Sequence, residues 1–360
     1  MKKEWQTKTL DQISTNLDSR RVPITKGIRS SGEYAYYGAS GIVDYVADYI
    51  FEEDTLLISE DGANLLARSM PIAFPASGKY WVNNHAHILK FENITTQRFV
   101  ELYLESIPLD DYITGAAQPK LNQKALNSIP IPVPPFPDQR RIVGMLDEAF
   151  EGIATAKANA EKNLQNARAL FESHLQSVFT QHGKGWVEKP IAECFKIRSG
   201  DFLPAKAMVG TGKFDVYGGN GVNGRHNQKN LTGRNIIIGR VGAKCGNVRC
   251  VEGDLWVTDN AFYISEYFRE FNLGFLGRLL TRKQLRSTAN QAAQPVISYT
   301  TIKDVVLEFP SDVSAQKKIA TAFDILEEET EQLASLYMRK LAALEALKKS
   351  LLHQAFTGQL

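Results

Sequence analysis

Arg225, Lys229, Arg234, Arg240, Lys244, Asn247 and Arg249 lie close together in the chain, interspersed with glycines. Arginine and lysine match guanine edges and phosphate oxygens, and asparagine matches adenine, so this cluster suits loops that face a nucleic acid. A sparser set, Arg20, Arg21, Lys26, Arg29, Arg68 and Lys79, occurs earlier in the chain. Isolated surface cations are ordinarily just solvated. Phosphate contacts should outnumber base contacts, so most of these side chains would position a duplex rather than read it.

Signatures of bond-making chemistry are absent. An amino-methyltransferase needs Asn or Asp ahead of Pro-Pro-aromatic to polarise an extruded base; here Val133-Pro134-Pro135-Phe136 offers valine. No lysine is preceded two residues earlier by glutamate, so the Glu-x-Lys of metal-dependent nucleases is missing. A phosphate-cradling P-loop is missing too. His85 and His87 have metal-like spacing but no Cys or His cluster near them in sequence, which favours packed or hydrogen-bonded rings. Cys194, Cys245 and Cys250 are expected to be free thiols, because an odd, crowded set makes a poor disulfide framework. No catalytic residue, metal site or cofactor is expected in this chain. The loops YGASG (37–41) and YGGNG (217–221) could approach phosphates, although glycines there more often serve tight turns.

The 360 residues are 43% hydrophobic and 23% charged, which argues for packed domains and against disorder. No stretch reaches the length of a membrane helix, and MKKEWQTKTLDQI has no apolar signal core, so a cytoplasmic protein with no membrane partner is expected. The net charge of +2 conceals an asymmetry. Residues 184–310 hold 18 basic and 11 acidic side chains, whereas residues 1–137 hold 13 and 16. A basic segment suits a polyanion; in the acidic one any such contact must come from a local patch.

An internal repeat supplies the elements that position these residues. ALFESHLQSVFT (169–180) aligns with ALKKSLLHQAFT (346–357), and Gln139, Ile142 and Leu146 align with Gln316, Ile319 and Phe323. Gln118-Pro119 aligns with Gln294-Pro295, WVNNHA (81–86) with WVTDNA (256–261), Tyr37-Gly38 with Tyr217-Gly218, and Trp5 with Trp186. In each copy the first ~130 residues form short β-type runs broken by Gly, Asn and Pro, and the last ~45 read as helix. Five prolines within 130–137 make an extended stop ahead of the first helix.

Heptad-like spacing predicts a coiled-coil seam. It would run through Ile142, Leu146, Ala149, Ile153, Ala156, Ala160, Asn163, Ala167, Leu170 and His174 in one helix. Its partner would use Ile319, Phe323, Leu326, Thr330, Leu333, Tyr337, Lys340, Leu344, Leu347 and Leu351. Each helix of some 40 residues would span roughly 60 Å. Short connections favour an antiparallel pair with one globular segment at each end. The expected fold is therefore α+β: mixed, β-rich globular domains at 1–137 and 184–315, helices at 138–183 and 316–360, related by an internal pseudo-two-fold repeat.

Several ordered, duplicated motifs resemble one family over essentially the whole chain. They are PKLNQKALNSIPIPVPPFPDQRRIV (119–143) with PVISYTTIKDVVLEFPSDVSAQKKIA (295–320), WVNNHAHIL (81–89), YGGNGV (217–222) and AFTGQL (355–360). They are similar to the specificity subunits of type I restriction-modification systems. The resemblance implies two target-recognition domains on double-stranded DNA, reading an asymmetric bipartite target whose spacing the helices set. It also implies docking onto two methyltransferase subunits, with restriction (helicase and nuclease) subunits in the full complex. Those partners would carry S-adenosylmethionine, ATP and Mg. The competing reading is a coiled-coil scaffold with two ligand- or protein-binding domains.

Overall fold

A computed structural model describes residues 5–115, 117–180, 183–290 and 294–360. The chain forms two compact units, one of Met1–Lys162 with Tyr337–Leu360, the other of Asn163–Leu336. Both are mixed α/β, and each repeats the other's plan.

In the first unit, Thr15–Asn16, Ala86–Lys90, Thr55–Ser59 and Ala73–Ala76 make an antiparallel sheet in that order. A second sheet runs Gly41–Val46, Ser31–Gly38, Lys79–Val82, Phe51–Glu52, with its middle pair parallel. The strand Thr55–Ser59 is buried throughout, and its side chains alternate between two cores as a pleated strand must. Leu56 and Ile58 enter the larger core, and Leu57 the smaller. The second unit repeats this arrangement. Phe195–Ser199, Ala261–Tyr267, Asn235–Gly239 and Val248–Val251 form one sheet; Gly221–His226, Phe214–Gly218 and Leu255–Val257 form the other. Ile236 and Ile238 enter the larger core and Ile237 the smaller.

The Pro-rich run is an extended segment, Pro130–Val133, paired with Gln6–Thr9; Val306–Pro310 and Trp186–Pro190 match it in the second unit. Each leads into a long helix, Phe136–Thr180 or Val313–Phe356, so the helices begin a few residues before the expected starts. Residues 181 and 182 of the expected first helix lie outside the described residues. A buried glutamine latches each entry. Gln139 donates to the Pro134 carbonyl at 2.9 Å and accepts from the Thr96 hydroxyl. Gln316 donates to the Pro310 carbonyl at 2.8 Å and accepts from the Asn272 amide. Ion pairs of equivalent position tie helix to globule, Arg98 to Asp147 and Arg278 to Asp324, each at 2.7 Å.

Within each unit the helices run antiparallel. In the first, Lys157 pairs with Glu345, Lys348 lies over Phe150, and Arg141 donates to the Leu360 carbonyl. In the second, His174 and Phe179 both pack on Phe323. Aromatic rings close each end: Phe356 against Phe99 and Tyr103, with Trp5 beside Phe99, and Phe179 against Phe275 and Trp186.

The seam departs from the heptad reading along its middle. Leu170, Leu333 and Leu347 are 65%, 44% and 45% exposed, while Leu164, Phe171, Ala334 and Leu341 turn inward in place of the expected Asn163, Leu170, Leu333 and Lys340. A straight helix drifts about 20° per heptad against a strict 3.5 repeat, so over several heptads the inward stripe moves by one residue. No helix among the described residues is long and apolar enough to cross a membrane.

Candidate nucleic-acid interface

Each unit presents two tightly joined loops. The first is the hairpin turn at 37–41 or 217–221, closed by glycines with φ of +111° at Gly41 and +113° at Gly221. These positive angles explain the glycines as turn formers. The second loop follows the buried strand: residues 60–68 in the first unit and 240–247 in the second. Matching backbone bonds fix it. Glu60 N–H donates to the His85 carbonyl and Leu121 N–H to the Glu60 carbonyl; Arg240 N–H donates to the Asn260 carbonyl and Ile297 N–H to the Arg240 carbonyl. Gly62 and Gly242 bond likewise to the Pro119 and Pro295 carbonyls. In the second unit the loops touch so closely that a Cβ on Gly219 would sit 2.4 Å from the Val241 carbonyl oxygen.

The candidates of the second unit divide into three groups. Arg225 pairs with Asp215 at 3.4 Å, Lys229 with Asp254 at 2.8 Å, and Arg234 with Glu252 at 3.4 Å. Lys229 holds the Asp254 carboxyl below its ordinary range. Arg240 turns inward, donating to the Asp259 carbonyl at 3.1 Å beside the Phe262 ring, with its Nε buried and unpartnered among the described residues. Lys244, Asn247 and Arg249 are exposed and have no ion-pair partner among the described residues. Arg249 donates to the Asn220 carbonyl at 3.1 Å, so it lies at the hairpin turn. Asn247 and Arg249 also line a cleft of about 470 Å³ with Thr281, Gln284 and Arg286. The last three escaped the sequence reading because they come from a helix end more than thirty residues downstream.

In the first unit nearly every candidate is engaged by its own domain. Arg20 pairs with Glu53 and lies over Phe51; Arg29 pairs with Asp44 at 3.0 Å and lies over Tyr36. Lys90 and Arg20 hold the Glu53 carboxyl low, and Arg29 does the same for Asp44. Lys79 lies over Tyr49, 4.0 Å from Glu52. Arg68, left-handed at φ +49°, donates to the Leu104 and Ile107 carbonyls and so fastens the end of a helix. Lys26 is exposed without an ion-pair partner among the described residues.

Arg21 belongs to a buried ionic cluster under the second loop. It contacts Glu60 at 2.6 Å and Asp18 at 3.5 Å. His87, 1% exposed, places Nδ1 2.5 Å from Asp18 and Nε2 2.8 Å from the Leu121 carbonyl. Burial alone would raise the Asp18 and Glu60 carboxyls, but His87, Arg21 and their other donors keep both below the usual range. His85 is different: its side chain is 48% exposed and its Nδ1 lies 2.8 Å from Asp61. Among the described residues no group of three or more Cys, His, Asp or Glu is arranged to hold a metal ion. Cys194 and Cys245 are buried and Cys250 is exposed; all three are free.

The model of the type I restriction modification DNA specificity domain matches twice, at residues 2–165 and 183–336. A putative type I restriction enzyme specificity subunit of Haemophilus influenzae is 38% identical over 144 residues, 40% of this chain and 36% of that protein. The type I restriction enzyme EcoprrI specificity subunit of Escherichia coli is 26% identical over 208 residues, 54% and 51%. The chain thus spans about a third to a half of the length of these relatives. In fold it is similar to the HsdS subunit from Thermoanaerobacter tengcongensis, with TM-score 0.62 at 14% identity over 99% of this chain and 97% of that one. A chain solved in a study of complex assembly of the type I R-M system superposes with TM-score 0.74 at 14% identity, over 99% and 98%.

Proposed function

Because the chain belongs to the type I restriction modification DNA specificity family, we propose that it is the non-catalytic sequence-reading subunit of a type I restriction-modification complex. Each unit reads one half of a bipartite double-stranded target, and the paired helices set the spacer between the halves. Two methyltransferase subunits dock on this chain, with restriction subunits completing the assembly in the cytoplasm. S-adenosylmethionine, ATP and Mg belong to those partners.

One observation carries this reading: a single loop scaffold is built twice but holds different side chains. Glu60, His85 and Asn64 stand where the second unit has Arg240, Asn260 and Lys244. Two readers of one design with unlike surfaces suit a target with two unlike halves, as spaced half-sites mirror the symmetry of a dimeric binder.

Co-purification with an adenine methyltransferase, followed by methylome sequencing, tests the proposal. The expected result is a split target with two unlike half-sites. Methylation at a continuous palindrome would overturn it. A four-residue insertion in the helix, about one turn or ~6 Å, should change the tolerated spacer and leave both half-sites intact.

A further inference from the structure

We infer that His85 in the first unit and Asn260 in the second are one base-reading seat built twice, and that Asp61 positions the first of them. The inference rests on the DNA-reading function proposed above and names residues that carry it.

Their backbone setting is the same. Each follows a Trp-Val strand end, and each carbonyl accepts from the first residue of the second loop at 2.9 Å, Glu60 N–H or Arg240 N–H. Two residues before each seat the backbone is tied to the hairpin: Asn83 N–H donates to the Tyr37 carbonyl at 3.0 Å and Thr258 N–H to the Tyr217 carbonyl at 2.8 Å. The seat therefore stands where the two loops meet. In the second unit a Cβ on Gly219 would come within 2.9 Å of the Asn260 carbonyl oxygen, which leaves the backbone there no slack.

The side chains nevertheless face outward. The His85 side chain is 48% exposed, and its carbonyl accepts from Glu60, a member of the buried Asp18–His87–Glu60–Arg21 cluster. Asn260 is exposed; its backbone N–H donates to the Thr258 hydroxyl at 3.4 Å, while its side-chain amide makes no hydrogen bond among the described residues. An exposed polar side chain on a fixed backbone suits discrimination, because little order is lost when it binds.

The chemistry assigns partners. Asn260 presents the donor and acceptor pair that matches adenine N7 and N6. The Asp61 carboxylate accepts from His85 Nδ1–H, and in the neutral ring this leaves the Nε2 lone pair for an exocyclic amino group, that of adenine or cytosine. Asp61 touches no base in this scheme; it fixes the ring plane and the tautomer.

Competition binding with the chain assembled on its methyltransferase partner tests the seat, using duplexes in which each base pair of the wild-type target is replaced in turn. H85A should lose discrimination on the order of tenfold at one base pair of one half-site, and D61N should lose it at that same pair. N260A should do so at one pair in the other half-site. H85S and N260S, which keep the residue polar but shorten it below base-reading reach, stand in for any alanine variant that does not assemble. Unchanged profiles, or a uniform loss at every position, against a selective wild type would overturn the seat alone. A wild-type complex with no base preference would overturn the DNA-reading function itself.

Discussion

Glu60 and Arg240 occupy one position of a twice-built loop and carry opposite charges. Each takes its backbone bonds from the same two places, and each lies beside the same strand position, which is His87 in the first unit and Phe262 in the second. Glu60 lies 3.8 Å from the His87 ring, and Arg240 lies over the Phe262 ring at 5.6 Å. An ionic cluster built on the Glu60–Arg21 pair and a cation–π contact are thus alternative ways of fastening the same loop.

The ionic version is the more fragile to truncation. His87→Ala leaves the buried Asp18 carboxylate without the ring partner 2.5 Å away, and loss of one partner from a buried set costs about 3–5 kcal/mol. Urea unfolding of H87A should show that loss in the first unit's transition. Lys124→Ala, at an exposed position, should stay within about 0.5 kcal/mol.

The same cluster sets an acid limit. Asp18 and Glu60 titrate lower in the folded chain than their unfolded values of about 4. Their contribution is therefore complete above about pH 5 and disappears as the pH falls through the folded values. Melting temperatures measured from pH 7 downward should converge for wild type and Asp18→Asn, because protonation removes the charge that the substitution removes. A gap that widened toward low pH would contradict this.

Salt titration separates free from engaged cations. Arg249 and Arg286 have no carboxylate partner among the described residues, so R249A and R286A should each lower the salt slope of DNA binding by about 1. R29A should lower it less, since Asp44 already neutralises that guanidinium.

Close approach of the two loops makes a further prediction. Gly219→Ala drives a methyl group into the Val241 carbonyl and should destabilise the second unit by about 1–3 kcal/mol. Gly210→Ala meets no atom within 4 Å and serves as the control.

Much of this architecture was legible in the chain. Repeated Trp, Tyr-Gly, Gln-Pro and Gln-x-x-Ile signatures mark positions where backbone geometry or a buried amide is fixed, and such positions tolerate few residue types. Gln139 and Gln316 are latches of that kind. The inward stripe of the helices was legible at its ends, where globular cores pin it, but not in the middle, where small residues and helical drift decide which side faces in. Pairing of charges was the least legible. Arg20, Arg21 and Arg29 look in sequence like Lys244 and Arg249, and only folding brings Glu53, Glu60 and Asp44 against the first three. His85 and His87 are hydrogen-bonded rings, as their sequence setting favours, but the sequence does not show which partners they take: Asp61, twenty-four residues upstream of His85, and Asp18 for His87.

The first unit is discontinuous: Leu352, Ala355 and Phe356 enter the core begun by Leu10 and Trp5. The second unit is a single uninterrupted stretch, Asn163–Leu336. On the ribosome the order of completion is accordingly reversed. The portion translated in the middle has all its packing partners first, while the earliest-made sheets wait with one flank open until the closing turns of the last helix emerge. A nascent chain stalled before Tyr337 would carry one finished reader and one exposed apolar flank, the kind of surface that chaperones hold.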